Sequence, residues 1–196
     1  MKKPVEENSS PALREFMSRM SPCPASAPDE EPGLTGAMMC QIMMLNSVIE
    51  RTGNRLLEEH ALTLPQWLAL GCISHAGEEG IPHSQIGQKL MLSKAPITGI
   101  VDRLERVGLV ERRADLKDRR VSRAVATEKG VATWWNVKHT LRGHSENAIN
   151  AALSDDEQET LLRLMGRLLD AFSHSDPTLA DLHSKEVPAP IPTAKS

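Results

Sequence analysis

Between residues 84 and 130 the chain places two short amphipathic stretches around a tight turn, then two strand-like segments joined by an arginine-filled loop. This order predicts a mainly α protein with a small β-hairpin wing: a winged helix-turn-helix plus a helical dimerisation region. Composition agrees. The 196 residues, 40% apolar and 25% charged, suit one domain of typical size. Three Trp, two Phe and no Tyr leave the core to Leu, Met, Val and Ile, which favours helices over a β-sandwich.

In chain order, residues 1–33 are rich in Pro, Ser and Glu, as in SPCPASAPDEEPG, and are expected to form a disordered arm. Within it, PALREFMSRM places Leu13, Phe16, Met17 and Met20 on one face, enough for a helical turn or two. From Leu34 to about His60, Met38, Ile42, Leu45, Ile49 and Leu56 recur at helical spacing and mark a long amphipathic helix. Thr63 is a helix cap, with Pro65 in the first turn and Gln66 positioned to reach back. That helix carries Trp67, Leu70 and Ile73 and ends near Gly77, after which GEEGIP is expected to be a loop.

Ser84 to Met91 form the short first helix of the motif, burying Ile86 and Leu90. Ser93 caps the second, Pro96 sits in its first turn, and Ile97, Ile100, Val101 and Leu104 make its inner stripe. Lys94, Thr98, Gly99, Asp102 and Arg103 are left on its outer surface, and Gly108 ends it. Leu109–Arg113 and Val121–Ala126 are the wing strands, joined by ADLKDRR. Thr127 caps another long helix, which runs to about Leu153. Ser154 and Glu157 make a capping box for the last helix, whose stripe is Leu161, Met165, Leu168 and Phe172. The proline-rich residues 177–196 are expected to be disordered. The domain is thus 34–176, with a DNA-binding core at 63–126 and dimerisation helices at 34–60 and 127–175. The long helices carry more apolar surface than a small winged helix can cover, and a second subunit is the expected cover.

The net charge of -3 argues against nucleic acid, but its distribution argues for it. Residues 84–130 hold eleven Lys or Arg against six Asp or Glu, a surplus of five, while the rest of the chain has a deficit of eight. A basic module on an acidic scaffold suits a phosphate-binding surface on a soluble dimer, and double-stranded DNA is the implied partner. A helix entering the major groove needs small polar groups and a cation near its N-terminal end. Ser93, Lys94 and Thr98 meet that need, and Ser84 is a further candidate contact. A loop bearing Lys117, Arg119 and Arg120 suits a narrow minor groove, whose negative potential attracts arginine. Arg112 and Arg113, at the wing base, fit either DNA contact or surface ion pairs.

Cys23, Cys40 and Cys72 cannot all pair and fit no zinc spacing, so reduced thiols in a cytoplasmic protein are expected. Acidic residues and prolines stand where a signal peptide needs an apolar core, and the longest apolar run, Met38 to Leu45, is too short for a membrane span. His139 and His144 are five apart, not the spacing that puts two imidazoles on one helical face, so no metal is expected. With no glycine-rich phosphate loop and no nucleophile beside a base, neither a cofactor nor an enzymatic activity is expected.

LTLPQWLAL, LSKAPITGIVDRLERVGLVERR, DLKDRR and TEKG, in that order and spacing, resemble the MarR family of bacterial transcription regulators over roughly Leu34 to Ser175. The resemblance implies a homodimer joined through its first and last helices and released from DNA by small molecules or oxidants. By position it implies recognition contacts from Ser93, Lys94, Thr98 and Arg103, and an Asp118 that holds Arg120 for the minor groove. Family effector pockets lie between the dimerisation helices and the winged helix, which makes Met44, Arg51, Arg55, His60, Trp67 and Trp134 candidates. An arginine or histidine beside an apolar wall suits an aromatic carboxylate. The chain departs from the family at Gly99, which removes a possible base contact, and at Ala124 and Ala126, which predict a loosely packed wing.

The expected function is therefore a dimeric, ligand-responsive repressor on a pseudo-palindrome with half-sites roughly 10 base pairs apart. Two alternatives stand beside it. Cys40 could sense oxidants, although the partner tyrosines of the organic-peroxide sensors are missing and a buried, inert thiol is the plainer reading. The winged helix could instead serve protein contacts.

Overall fold

The computed structural model of the chain describes residues 10–12, 14–15, 34–90, 94–115, 118 and 121–175, with backbone alone at 94 and 95. Most of the expected N-terminal arm and the whole of the expected C-terminal tail lie outside these residues. The chain divides into two units, Met1–Glu58 and Glu59–Ser196.

In the first unit Pro11, Ala12, Arg14 and Glu15 are helical, and the Arg14 N–H donates to the Ser10 carbonyl at 3.0 Å, one turn of the helix expected in that patch. Helix α1 spans Leu34–Leu57. Its apolar residues Met38, Ile42, Met43, Leu45, Val48 and Ile49 are all exposed, Met43 by 66%. A 3-10 turn at Glu58–His60 follows.

Helix α2, Leu64–His75, starts where its cap predicts. The Thr63 N–H donates to Gln66 Oε1 at 3.0 Å, and Pro65 occupies a first-turn position that needs no intrahelical donor. Ala69, Leu70 and Ile73 of α2 are fully buried. The expected GEEGIP loop instead holds a 3-10 turn, Gly77–Glu79, and a short strand β1, Ile81–Pro82. Then come α3 (His83–Leu90), α4 (Lys94–Arg106), β2 (Val110–Ala114), β3 (Ser122–Ala126), α5 (Glu128–Ala152) and α6 (Asp155–Ser175).

The sheet is antiparallel in the order β1-β3-β2. Ile81 faces Ala124 on one side of β3, and Arg112 faces Ala124 on the other. This third strand corrects the expectation of a loose wing at Ala124, which is fully buried. The backbones meet so closely that a Cβ on Gly80 would lie 2.5 Å from the Ala124 carbonyl oxygen. A small side chain on β3 and none at Gly80 are what this approach requires.

The core of the second unit lies where α2 packs against α4, α5 and β3. Trp134 and Val137 of α5 are buried in it, with Ile86 of α3 and Leu104 of α4. Helix α6 begins with the expected box: the Ser154 N–H and Oγ–H both donate to Glu157 Oε2, at 2.9 and 2.7 Å. These bonds hold the Glu157 carboxyl below the usual carboxylate range. The α6 stripe stays open, with Leu161, Met165 and Phe172 between 44% and 53% exposed and Leu168 half-buried.

Candidate nucleic-acid interface

Helix α4 is built to present one face. Ile97, Val101 and Leu104 are at most 1% exposed and Ile100 is half-buried, while Thr98 and Gly99 face solvent. Arg103 is half-buried on the same helix, and Ser84 is exposed in the first turn of α3. Lys94 opens α4, with its side chain outside the described residues, as are Ser93, Lys117, Arg119 and Arg120.

The end of α4 is held firmly. At Gly108, φ is +74°, and the N–H groups of Gly108 and Leu109 donate to the carbonyls of Glu105 and Leu104, both at 2.9 Å. The TEKG stretch grips this turn from the start of α5. The Thr127 N–H donates to the Leu109 carbonyl at 3.0 Å, Thr127 Oγ1 donates to the Gly108 carbonyl at 2.8 Å, and Lys129 Nζ donates to the Val107 carbonyl at 3.0 Å. Thr127 Oγ1 also accepts the Gly130 N–H at 3.0 Å, which caps α5. A Cβ on Gly130 would sit 2.0 Å from the Leu109 carbonyl oxygen, so glycine is what lets α5 begin against this turn.

Arg112, a candidate DNA contact by sequence, is ion-paired within the fold. Its Nη2 meets Asp102 Oδ1 and its Nη1 lies 3.2 Å from Glu105 Oε2, so β2 is pinned to α4 through an ion pair that sequence reasoning left open. His83, at the head of α3, faces the same charges. Burial first and then the Arg112 charge push its imidazole below the ordinary histidine range, against the pull of Asp102 and Glu105. Its Nε2 is buried with no hydrogen-bond partner.

Across the sheet Arg113 faces Arg123, and the like charges are offset by separate acids. Arg113 Nε donates to Glu111 Oε1 at 2.7 Å. Arg123 donates from Nε to the Glu79 carbonyl at 2.7 Å, from Nη1 to Asp115 Oδ2 at 2.7 Å and from Nη2 to the Gly80 carbonyl at 2.9 Å. Asp115 Oδ1 accepts the Asp118 N–H at 3.1 Å, the Asp118 carbonyl accepts the Val121 N–H at 2.9 Å, and the Asp115 N–H donates to the Val121 carbonyl at 2.9 Å. Sequence reasoning missed Asp115 and Arg123; an acid eight residues before a strand arginine was the only available signal. The expected pairing of Asp118 with Arg120 lies outside the described residues.

Of the expected effector residues, Trp67 and Trp134 are brought together. Their rings stack at 6.1 Å with a 15° tilt, and Trp67 Nε1 donates to the Trp134 carbonyl at 3.4 Å. His75 stands edge-on to Trp134 at 4.6 Å, and Lys138 Nζ lies 4.8 and 4.5 Å from the rings of Trp134 and Trp135. Such packing welds α2 to α5. His60 is exposed, while Met44 (half-buried), Arg51 and Arg55 (exposed) belong to α1 in the other unit. Cys40 and Cys72 are half-buried free thiols, and burial pushes the Cys72 thiol up, away from the reactive thiolate. Among the described residues no group of three His, Cys, Asp or Glu could hold a metal ion, and no helix is long and apolar enough to cross a membrane.

A short helix, a second helix with a polar outer face and an ion-paired wing define a winged helix-turn-helix regulator. A model of the MarR family matches residues 62–122. The chain is 31% identical over 115 residues to the HTH-type transcriptional regulator MhqR of Bacillus subtilis (strain 168), covering 59% of this chain and 77% of that protein. Two crystal structures share its fold with a TM-score of 0.60. One is CouR from Rhodococcus jostii RHA1 bound to p-coumaroyl-CoA, 22% identical over 72% of this chain and 95% of its own. The other is the S. aureus MepR–DNA complex, 20% identical over 67% of this chain and 95% of its own. The chain belongs to the MarR family and is a DNA-binding transcriptional regulator.

Proposed function

We propose that the chain is a homodimeric, cytoplasmic repressor that grips a pseudo-palindromic operator with half-sites roughly 10 base pairs apart. A small aromatic effector, best a carboxylate, releases it. The observation that carries the DNA-reading part is α4: three apolar residues locked inside, Thr98 and Gly99 outside, and an end clamped to α5. On this reading Ser84, Ser93, Lys94, Thr98 and Arg103 face the major groove or its flanking phosphates. Lys117, Arg119 and Arg120, with Asp118 beside them, serve the minor groove. Arg112 acts by holding β2 to α4. MepR, of the same fold, is crystallised with DNA, which supports the assignment.

Dimerisation is supported separately by the exposed apolar faces of α1 and of α6, each too rich in large side chains to stay in water. The aromatic part of the effector class is supported by CouR, a protein of this fold bound to p-coumaroyl-CoA, an aromatic thioester. An effector releases the operator if it favours a dimer whose two α4 helices no longer match the half-site spacing.

Binding to the chain's own promoter region, titrated against salt, should give a steep negative slope. Changing Lys94, Arg119 and Arg120 together to Ala in both subunits should flatten that slope by roughly 5, at about 0.9 for each of six phosphates no longer neutralised. An unchanged affinity and slope in the triple variant would favour a protein-contact role for the winged helix. An aromatic acid that raises the melting temperature and weakens promoter binding would identify the signal.

A further inference from the structure

We propose that Arg123 and Asp115 are positioning residues for the wing: they tie its loop to the turn before β1 and thereby aim its cations. The proposal rests on the reading that Lys117, Arg119 and Arg120 meet DNA. Neither positioning residue needs to touch it.

The arginine behaves as a keystone rather than a solvated strand charge. Its side chain is 26% exposed and that of Asp115 15%, and its three donor nitrogens each have an acceptor within 2.9 Å. Two of those acceptors, the carbonyls of Glu79 and Gly80, lie 44 and 43 residues back in the chain. The third, Asp115, sits where β2 gives way to the loop, and its other oxygen takes the amide of Asp118 within that loop. A continuous path of bonds therefore runs from the 3-10 turn at Gly77–Glu79, through the guanidinium, to the middle of the wing. A lysine could keep the charge but not the fork, because one ammonium cannot span three acceptors set around a planar group.

The geometry separates this role from plain electrostatics by sign. Removing the Asp115 charge should tighten DNA binding if charge alone matters. In Asp115→Asn the shape is kept, but an NH2 can then face the donors of Arg123, and the tie breaks. The measurement is promoter binding against salt for Asp115→Asn, Arg123→Lys and the triple Lys117, Arg119 and Arg120 to Ala, with dimer mass and helical circular dichroism checked for each. Expected are a loss of roughly tenfold or more in affinity for both single variants and a slope flattened by more than about 2, the change that loss of one phosphate-neutralising cation from each subunit of the dimer would give. Exchange of the Asp118 amide with solvent should also quicken in both. If Asp115→Asn binds as tightly as the parent or tighter, or Arg123→Lys binds like the parent, the proposal is overturned. Should Asp115→Asn fail to fold, Arg123→Lys carries the test alone. A triple variant that keeps the parent slope would instead overturn the DNA role of the wing itself.

Discussion

On α4 the apolar residues Ile97, Val101 and Leu104 are at most 1% exposed, whereas on α6 Leu161, Met165, Leu169 and Phe172 stand 44% to 54% exposed. Both helices are amphipathic, and by sequence pattern the two stripes look alike. What differs is the company: α4 packs on α2, α3 and β2, while among the described residues of the second unit no element closes over the α6 stripe. An apolar periodicity thus says that a face must be covered, and says nothing of whether the cover comes from the same chain.

Charge placed on the open stripe tests this difference most severely. Met165→Asp with Leu169→Asp should leave the helices formed, since both side chains are exposed, but halve the mass seen by sedimentation equilibrium. Operator affinity should then fall by roughly 100-fold or more, because two linked reading heads become one. A variant that remains dimeric would show that α6 is not the seam. Next in size, Leu104→Ala on the closed stripe should cost about 2 to 5 kcal/mol in urea unfolding. Leu162→Ala, at a residue 75% exposed, should cost less than about 0.5 kcal/mol in the monomeric background.

The smallest expected effect lies at the head of α3. His83 is held below the ordinary histidine range, so between its lowered value and about 6.5 the unfolded chain binds a proton that the folded chain refuses. Stability contributed by the neutral imidazole is fully present above that window and is lost as pH falls through it. The melting temperature of the parent should therefore fall relative to that of His83→Gln as the pH is lowered from about 7 toward 5. Parallel curves would mean that His83 takes no part.

The helix starts were legible because their chemistry is local. Thr63 with Gln66, Ser154 with Glu157, and Thr127 with Gly130 each act across three residues. The inner stripe of α4 followed from period, and both wing strands from their place after the Gly108 stop on either side of a polar loop. Strand β1 did not, since two residues have no period and their partners lie on β3. For the same reason Arg112 and Arg123 read only as cations among cations, and Trp67 and Trp134 as two aromatics far apart.

Residue order was therefore enough to set out the succession of helices and strands, the cationic module within an acidic chain, and the family to which it belongs. Folding was needed to reveal which arginines pair with Asp102, Glu105 and Asp115, and that a third strand backs the wing. Spacing along the chain records bonds a few residues long, whereas these bonds span up to 44 residues and exist only once folding has brought their ends together.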